Sequence, residues 1–124
     1  MRKILLIEDD LILVQMYEIK FRHAGFEVET AFDGAAGLEK MRNYKPDLVL
    51  LDIVMPKLNG KVFFEKVRVD QELQQIPVAI LTNIDNPADR IEFLKKGAVD
   101  YFIKSELTPA QVVERVRDLL EIRK

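Results

Sequence analysis

The chain predicts an α/β domain built on a parallel sheet, and three observations carry that prediction. Short apolar runs rich in β-branched residues recur along it, such as Lys3-Ile4-Leu5-Leu6-Ile7 and Asp47-Leu48-Val49-Leu50-Leu51. Longer segments with apolar residues at helical spacing separate these runs, and five such units follow one another. The length of 124 residues, with 48% hydrophobic side chains, suits one domain spanning residues 1–124 with a core of its own.

The first strand runs from about Lys3 to Ile7. The helix after it is read with Leu11, Val14 and Ile19 on one side, and Gly25 supplies its stop. Phe26 to Ala31 form the second strand. Asp33 then caps a helix of small residues that continues to about Tyr44, where Lys45-Pro46 breaks it ahead of the third strand, Asp47 to Leu51. A loop from Ile53 to Gly60 leads into a helix carrying Val62, Phe63 and Val67, and Pro77 opens the fourth strand, Val78 to Leu81. Asn86-Pro87 fits a cap followed by proline at the first helical position, in a helix that stops at Gly97. The fifth strand, Tyr101 to Ile103, precedes Thr108-Pro109-Ala110-Gln111, a capping-box spacing. Val112, Val113, Val116, Leu119 and Leu120 make the apolar stripe of the last helix.

Composition narrows the chemistry. The 19 basic and 21 acidic side chains nearly cancel, and no Lys/Arg block gives bulk attraction to nucleic acid. Cysteine is absent and His23 is the only histidine, near the end of a helix whose dipole it helps neutralise; disulfide frameworks and thiolate zinc sites are excluded. No apolar run approaches the ~20 residues of a membrane span, and the amino terminus lacks a signal-peptide layout. The expectation is a soluble, cytoplasmic protein without a membrane segment or an output domain in this sequence.

If the runs are parallel strands, four of their ends share one sheet edge, where ligands of open α/β sheets bind. That edge gathers Glu8-Asp9-Asp10, Asp52, Thr82 and Lys104. Each residue alone has an ordinary explanation: an acid after a strand caps a turn, a lysine is solvated, a threonine fills a strand. Asp10, directly before the first helix, is best read as its cap, which leaves Glu8 and Asp9 as metal candidates. Together with Asp52 they crowd three carboxylates that repel one another unless a cation sits among them. Oxygen-only ligands point to Mg²⁺ or Mn²⁺. A metal, an ammonium at Lys104 and a hydroxyl at Thr82 would supply the charge stabilisation that phosphoryl transfer needs, with Asp52 as nucleophile.

These residues resemble the receiver domain of two-component response regulators, the chemotaxis-regulator type, over essentially the whole chain. The likeness rests on Glu8-Asp9, Asp52, Met55-Pro56, Asn59-Gly60, Thr82 and Lys104. It rests also on the intervals of 43 residues from Asp9 to Asp52, 30 from Asp52 to Thr82 and 52 from Asp52 to Lys104. The resemblance implies a doubly wound, flavodoxin-like five-stranded sheet in the order 2-1-3-4-5. It implies that Asp52 accepts phosphoryl from a sensor histidine kinase or a histidine phosphotransfer protein. Asp9, Asp52 and the carbonyl of Val54 would hold Mg²⁺, with Glu8 reaching it through water. Lys104 and Thr82 would contact the phosphoryl oxygens. Movement of Thr82 accompanied by inward rotation of Tyr101 would alter the face made by helix four, strand five and helix five. That face would meet a downstream protein target, and it is also where receivers dimerise. Ser105 stands where the family commonly has proline, so a trans bond is expected before it. Asn83 replaces a smaller residue, and Val54 and Ile84 flank the site.

Other classes fit less well. An Asp-nucleophile phosphatase of the haloacid-dehalogenase type needs an acid two residues after its nucleophile, where this chain has Val54. A flavin or nucleotide binder would want a glycine-rich phosphate loop after the first strand. A pseudo-receiver that acts without phosphorylation would not need the acceptor-site side chains, all of which are present.

Overall fold

The computed structural model describes residues 2–54 and 59–122, and of Ile122 only the backbone. Met55-Pro56, with Lys57 and Leu58, lies outside the described residues. Five strands, β1 (Lys3–Ile7), β2 (Glu27–Ala31), β3 (Leu48–Leu51), β4 (Val78–Thr82) and β5 (Asp100–Ile103), alternate with five helices. The helices are α1 (Leu11–His23), α2 (Gly34–Tyr44), α3 (Gly60–Val69), α4 (Pro87–Lys95) and α5 (Pro109–Ile122). All strand pairs are parallel and the order is β2-β1-β3-β4-β5, as the resemblance implies.

Strand alternation sorts the core into two layers. Leu5, Ile7, Val49, Leu51 and Ile80 face Met41 of α2, Phe63, Phe64 and Val67 of α3 and Phe93 of α4. Ile4, Leu6, Leu48, Leu50 and Phe102 face Val14, Tyr17 and Phe21 of α1 and Val112, Val116 and Leu120 of α5. A sheet covered on both faces explains why its inner strands β1, β3 and β4 read as nearly unbroken apolar runs, whereas the outer β2 reads Glu-Val-Glu-Thr-Ala. The register brings Ile7 beside Leu51, Leu51 beside Ile80 and Ile80 beside Tyr101, so the carboxyl ends of β1, β3, β4 and β5 reach one rim.

Local signals account for the boundaries. The Asp10 carboxylate accepts from the amides of Ile12 and Leu13 at 3.0 and 3.3 Å, and Asn86 accepts from Ala88 and Asp89. At α5 the capping box closes in both directions: Thr108 N–H donates to Gln111 Oε1 at 2.8 Å, and Gln111 N–H donates to Thr108 Oγ1 at 3.2 Å. Gly25 and Gly97 follow α1 and α4 at φ +95° and +112°, a region that costs an L side chain strain.

The expected face of α1 needs correction. Val14 is buried, but Leu11 and Ile19 are 61% and 63% exposed, and Tyr17 and Phe21 take the core positions. This helix is apolar around most of its circumference, so apolar spacing does not single out one stripe. In α3, Phe63 and Val67 are buried and Val62 lies at the exposed margin.

Candidate functional site

The rim is built by backbone ladders that run one residue past the strands. Glu8 N–H donates to Ala31 O and Asp52 N–H to Ile7 O, each at 3.0 Å, and Lys104 N–H donates to Thr82 O at 2.8 Å. Glu8, Asp52 and Lys104 therefore project from rigid positions. Glu8 is 1% exposed and Asp52 7%, while Asp9 lies outward in solvent. Carboxylate oxygens of Glu8, Asp9 and Asp52 lie within 4.8 Å of one another. Three oxygen donors this close fit a hard divalent cation, so the residues present are capable of holding one.

Lys104 completes the cluster. Its Nζ donates to Asp52 Oδ2 at 3.1 Å and makes a close ion pair with Glu8 Oε1, and its side chain is 8% exposed. The remaining oxygens are also held: Val54 N–H donates to Asp52 Oδ1 and Asp10 N–H to Glu8 Oε2, both at 3.1 Å. Burial pushes the Glu8 pKa up; the Lys104 hydrogen bond and the Asp10 amide pull it back, the Asp52 charge opposes them, and the net direction is upward. Burial disfavours the Lys104 ammonium, but the Glu8 hydrogen bond and the Asp52 charge outweigh it and raise its pKa above the ordinary lysine value.

Thr82 is fully buried, and its Oγ1 accepts from Ile84 N–H at 3.3 Å. The other side of the same residue is also engaged, since Tyr101 Oη donates to Ile84 O at 2.9 Å. Tyr101 occupies the buried position, against Phe93 with ring centroids 6.2 Å apart. Burial, with Asp89 and Asp85 nearby, raises its pKa. Val54 presents an exposed side chain at the mouth of the site.

The structure thus brings Glu8, Asp9, Asp52, Val54, Thr82 and Lys104 to one rim, with Tyr101 linked to it through Ile84. Two features were not readable beforehand. The direct pairing of Lys104 with Glu8 spans three inter-strand steps of ~4.8 Å each, and no local pattern announces it. The second feature is the packing of Gly60 on the backbone after Asp52. A Cβ at Gly60 would sit 2.3 Å from Ile53 Cα, and Gly60 N–H donates to Ile53 O at 3.1 Å. Glycine here lets α3 start directly against the Asp52 loop.

The family model for the response regulator receiver domain matches residues 4–117. The chain belongs to this family. Among curated relatives of this receiver, the alkaline phosphatase synthesis transcriptional regulatory protein PhoP of Bacillus subtilis is 34% identical over 119 residues, 96% of this chain and 48% of PhoP. The DNA-binding dual master transcriptional regulator RpaA of Synechocystis sp. is 34% identical over 120 residues, 97% of this chain and 49% of RpaA. The chain spans about half the length of these relatives. The receiver domain of the Francisella response regulator 1452 superposes with a TM-score of 0.90 at 30% identity, covering 100% of both chains. Proteins of this family act as self-modifying signalling proteins rather than as classical enzymes, and the Glu8-Asp9-Asp52 cluster is consistent with a receiver phosphoacceptor site. None of the described helices is long and apolar enough to cross a membrane.

Proposed function

We propose that residues 1–124 form a single receiver domain in which Asp52 accepts a phosphoryl group from a phosphohistidine on a sensor kinase or histidine phosphotransfer protein. The observation that carries this reading is the convergence of Glu8, Asp9 and Asp52 within 4.8 Å, with Lys104 bonded to two of them. An Asp52 carboxylate oxygen forms a bond to phosphorus as the bond from phosphorus to the imidazole nitrogen breaks, leaving neutral histidine after proton uptake and an acyl phosphate on Asp52. Asp9, Asp52 and the Val54 carbonyl would hold Mg²⁺, with Glu8 one water away; Mn²⁺ suits the same oxygens. When bound, the cation neutralises charge on the phosphoryl oxygens.

The protein's own groups do the rest. Val54 N–H and Lys104 Nζ already fix the two Asp52 oxygens, which orients the nucleophile before a donor arrives. Lys104 then turns from Asp52 to a phosphoryl oxygen, and the Thr82 hydroxyl donates to another. The inward place of Tyr101 exists without the phosphoryl group, so phosphorylation would shift a population between surfaces. The α4-β5-α5 face is the proposed contact for a downstream protein or a second copy.

Intact mass after incubation with acetyl phosphate and Mg²⁺ tests the chemistry. One phosphoryl increment is expected for the wild type, and none for Asp52→Asn or after metal removal. Wild type that stays unmodified, with acetyl phosphate and with a phosphohistidine donor alike, would point to a pseudo-receiver.

A further inference from the structure

Strand β2 is an outer strand of the sheet, paired among the described residues on one side only, with β1. Its ladder uses alternate residues: Glu27 N–H donates to Arg2 O at 2.9 Å, and Ala31 O accepts from Glu8 N–H at 3.0 Å. The backbone groups of Val28 and Thr30 therefore point away from the sheet. An outer strand with free carbonyls and amides is a template for another strand.

Both outward carbonyls are occupied here, each by a cation from a different layer. Arg22 Nη2, in the last turn of α1, donates to Val28 O at 3.1 Å. Lys40 Nζ, from α2 on the opposite face, donates to Thr30 O and also pairs with Glu29 at 3.1 Å. The half-exposed stems of these side chains cross the strand edge from above and below. Glu27 and Glu29 add a second obstacle, since two copies of β2 laid together would bring acids into register against acids.

We propose that Arg22 and Lys40 seal the β2 edge, and that the occupant they exclude is β2 of a second copy of this chain. Self-association of the unaltered protein then has to use a different face. Each cation satisfies a carbonyl that a neighbouring strand would otherwise take, and each would have to be desolvated and displaced before strands could pair.

The test separates the cations from the acids. In E27T/E29T the acid repulsion is gone but both cations remain; adding R22A/K40A removes the seal. Sedimentation velocity over a concentration series, with amide hydrogen exchange at Val28 and Thr30, reads the outcome. E27T/E29T is expected to keep the wild-type mass distribution. The fourfold variant is expected to self-associate at least about tenfold more tightly, with Val28 and Thr30 amides slowed as concentration rises. Adding Thr30→Pro removes an outward N–H without touching the β1 ladder, and should reverse the association, which aggregation of unfolded chain would not do. The proposal is overturned if E27T/E29T alone associates, if the fourfold variant matches it, if association leaves those amides unprotected, or if Thr30→Pro has no effect.

Discussion

Replacing Lys104 with methionine removes a cation shared by two buried carboxylates while keeping most of the side-chain volume. Glu8 and Asp52 are then left facing each other with oxygens no more than 4.8 Å apart. At that separation and an effective dielectric of about 20, repulsion between unit charges is roughly 3.5 kcal/mol, close to the roughly 3–5 kcal/mol lost when one partner of a buried pair is deleted. The upward direction of the Glu8 pKa provides a limit, because Glu8 can take a proton instead of bearing the whole cost. A loss of about 2–4 kcal/mol is therefore expected for Lys104→Met near neutral pH without divalent metal. In urea that lowers the unfolding midpoint by ~1–2 M, for a slope of a small domain of about 2 kcal/mol per M. E8Q/K104M removes the repelling charge as well and should recover at least half the loss. A Lys104→Met midpoint equal to wild type in chelator, or an E8Q/K104M variant no more stable than Lys104→Met, would refute this electrostatic account of Lys104.

Gly60→Ala forces backbone against backbone at Ile53, so it should cost about 1–3 kcal/mol and slow phosphoryl uptake at Asp52 in a mass-spectrometric time course. Gly25→Ala is its control: at φ +95° with open space around it, it should lose ~1 kcal/mol while leaving uptake unchanged. Because the Glu8 pKa is raised in the folded protein, protonation begins at higher pH than in an ordinary glutamate. Mg²⁺ affinity by calorimetry should fall as pH drops through the window above 4.5, and Glu8→Gln should flatten that fall. The same raised pKa means that folding stability contributed by neutral Glu8 is present at low pH and lost as pH rises through this window. Tyr101→Phe loses the bond to Ile84 O, so thermal unfolding should show a deficit of about 0.5–1.5 kcal/mol with Asp52 still phosphorylated.

How far the sequence carried depends on whether a feature is local. The Asp10, Asp33 and Asn86 caps and the Thr108-Gln111 box act within four residues and were all legible. The inner strands, buried on both faces, announced themselves as apolar runs; β2 begins at Glu27 and β3 at Leu48, each one residue later than expected. The covered face of α1 is set by the sheet and α5 together, while Leu11, Ile12 and Ile19 are apolar yet exposed, so apolar spacing alone does not mark it. Within the site, spacing was enough to gather the acids and Lys104. The ordinary expectation of a solvated lysine was overturned by two carboxylates distant in sequence. The linkage of Thr82 to Tyr101 runs through the backbone of Ile84, and backbone groups leave no mark in side-chain pattern.

The sharing of one ammonium between Glu8 and Asp52 also sets the nucleophilicity of that amine. Acylating reagents attack the free base of a lysine, and at Lys104 a raised pKa depletes the free base while burial bars the reagent. Lys61, about half exposed, is open to the reagent and will acylate sooner. Lys104 should therefore be among the last lysines labelled in the native chain. The order of labelling, read peptide by peptide, becomes a record of whether the carboxylates still hold it.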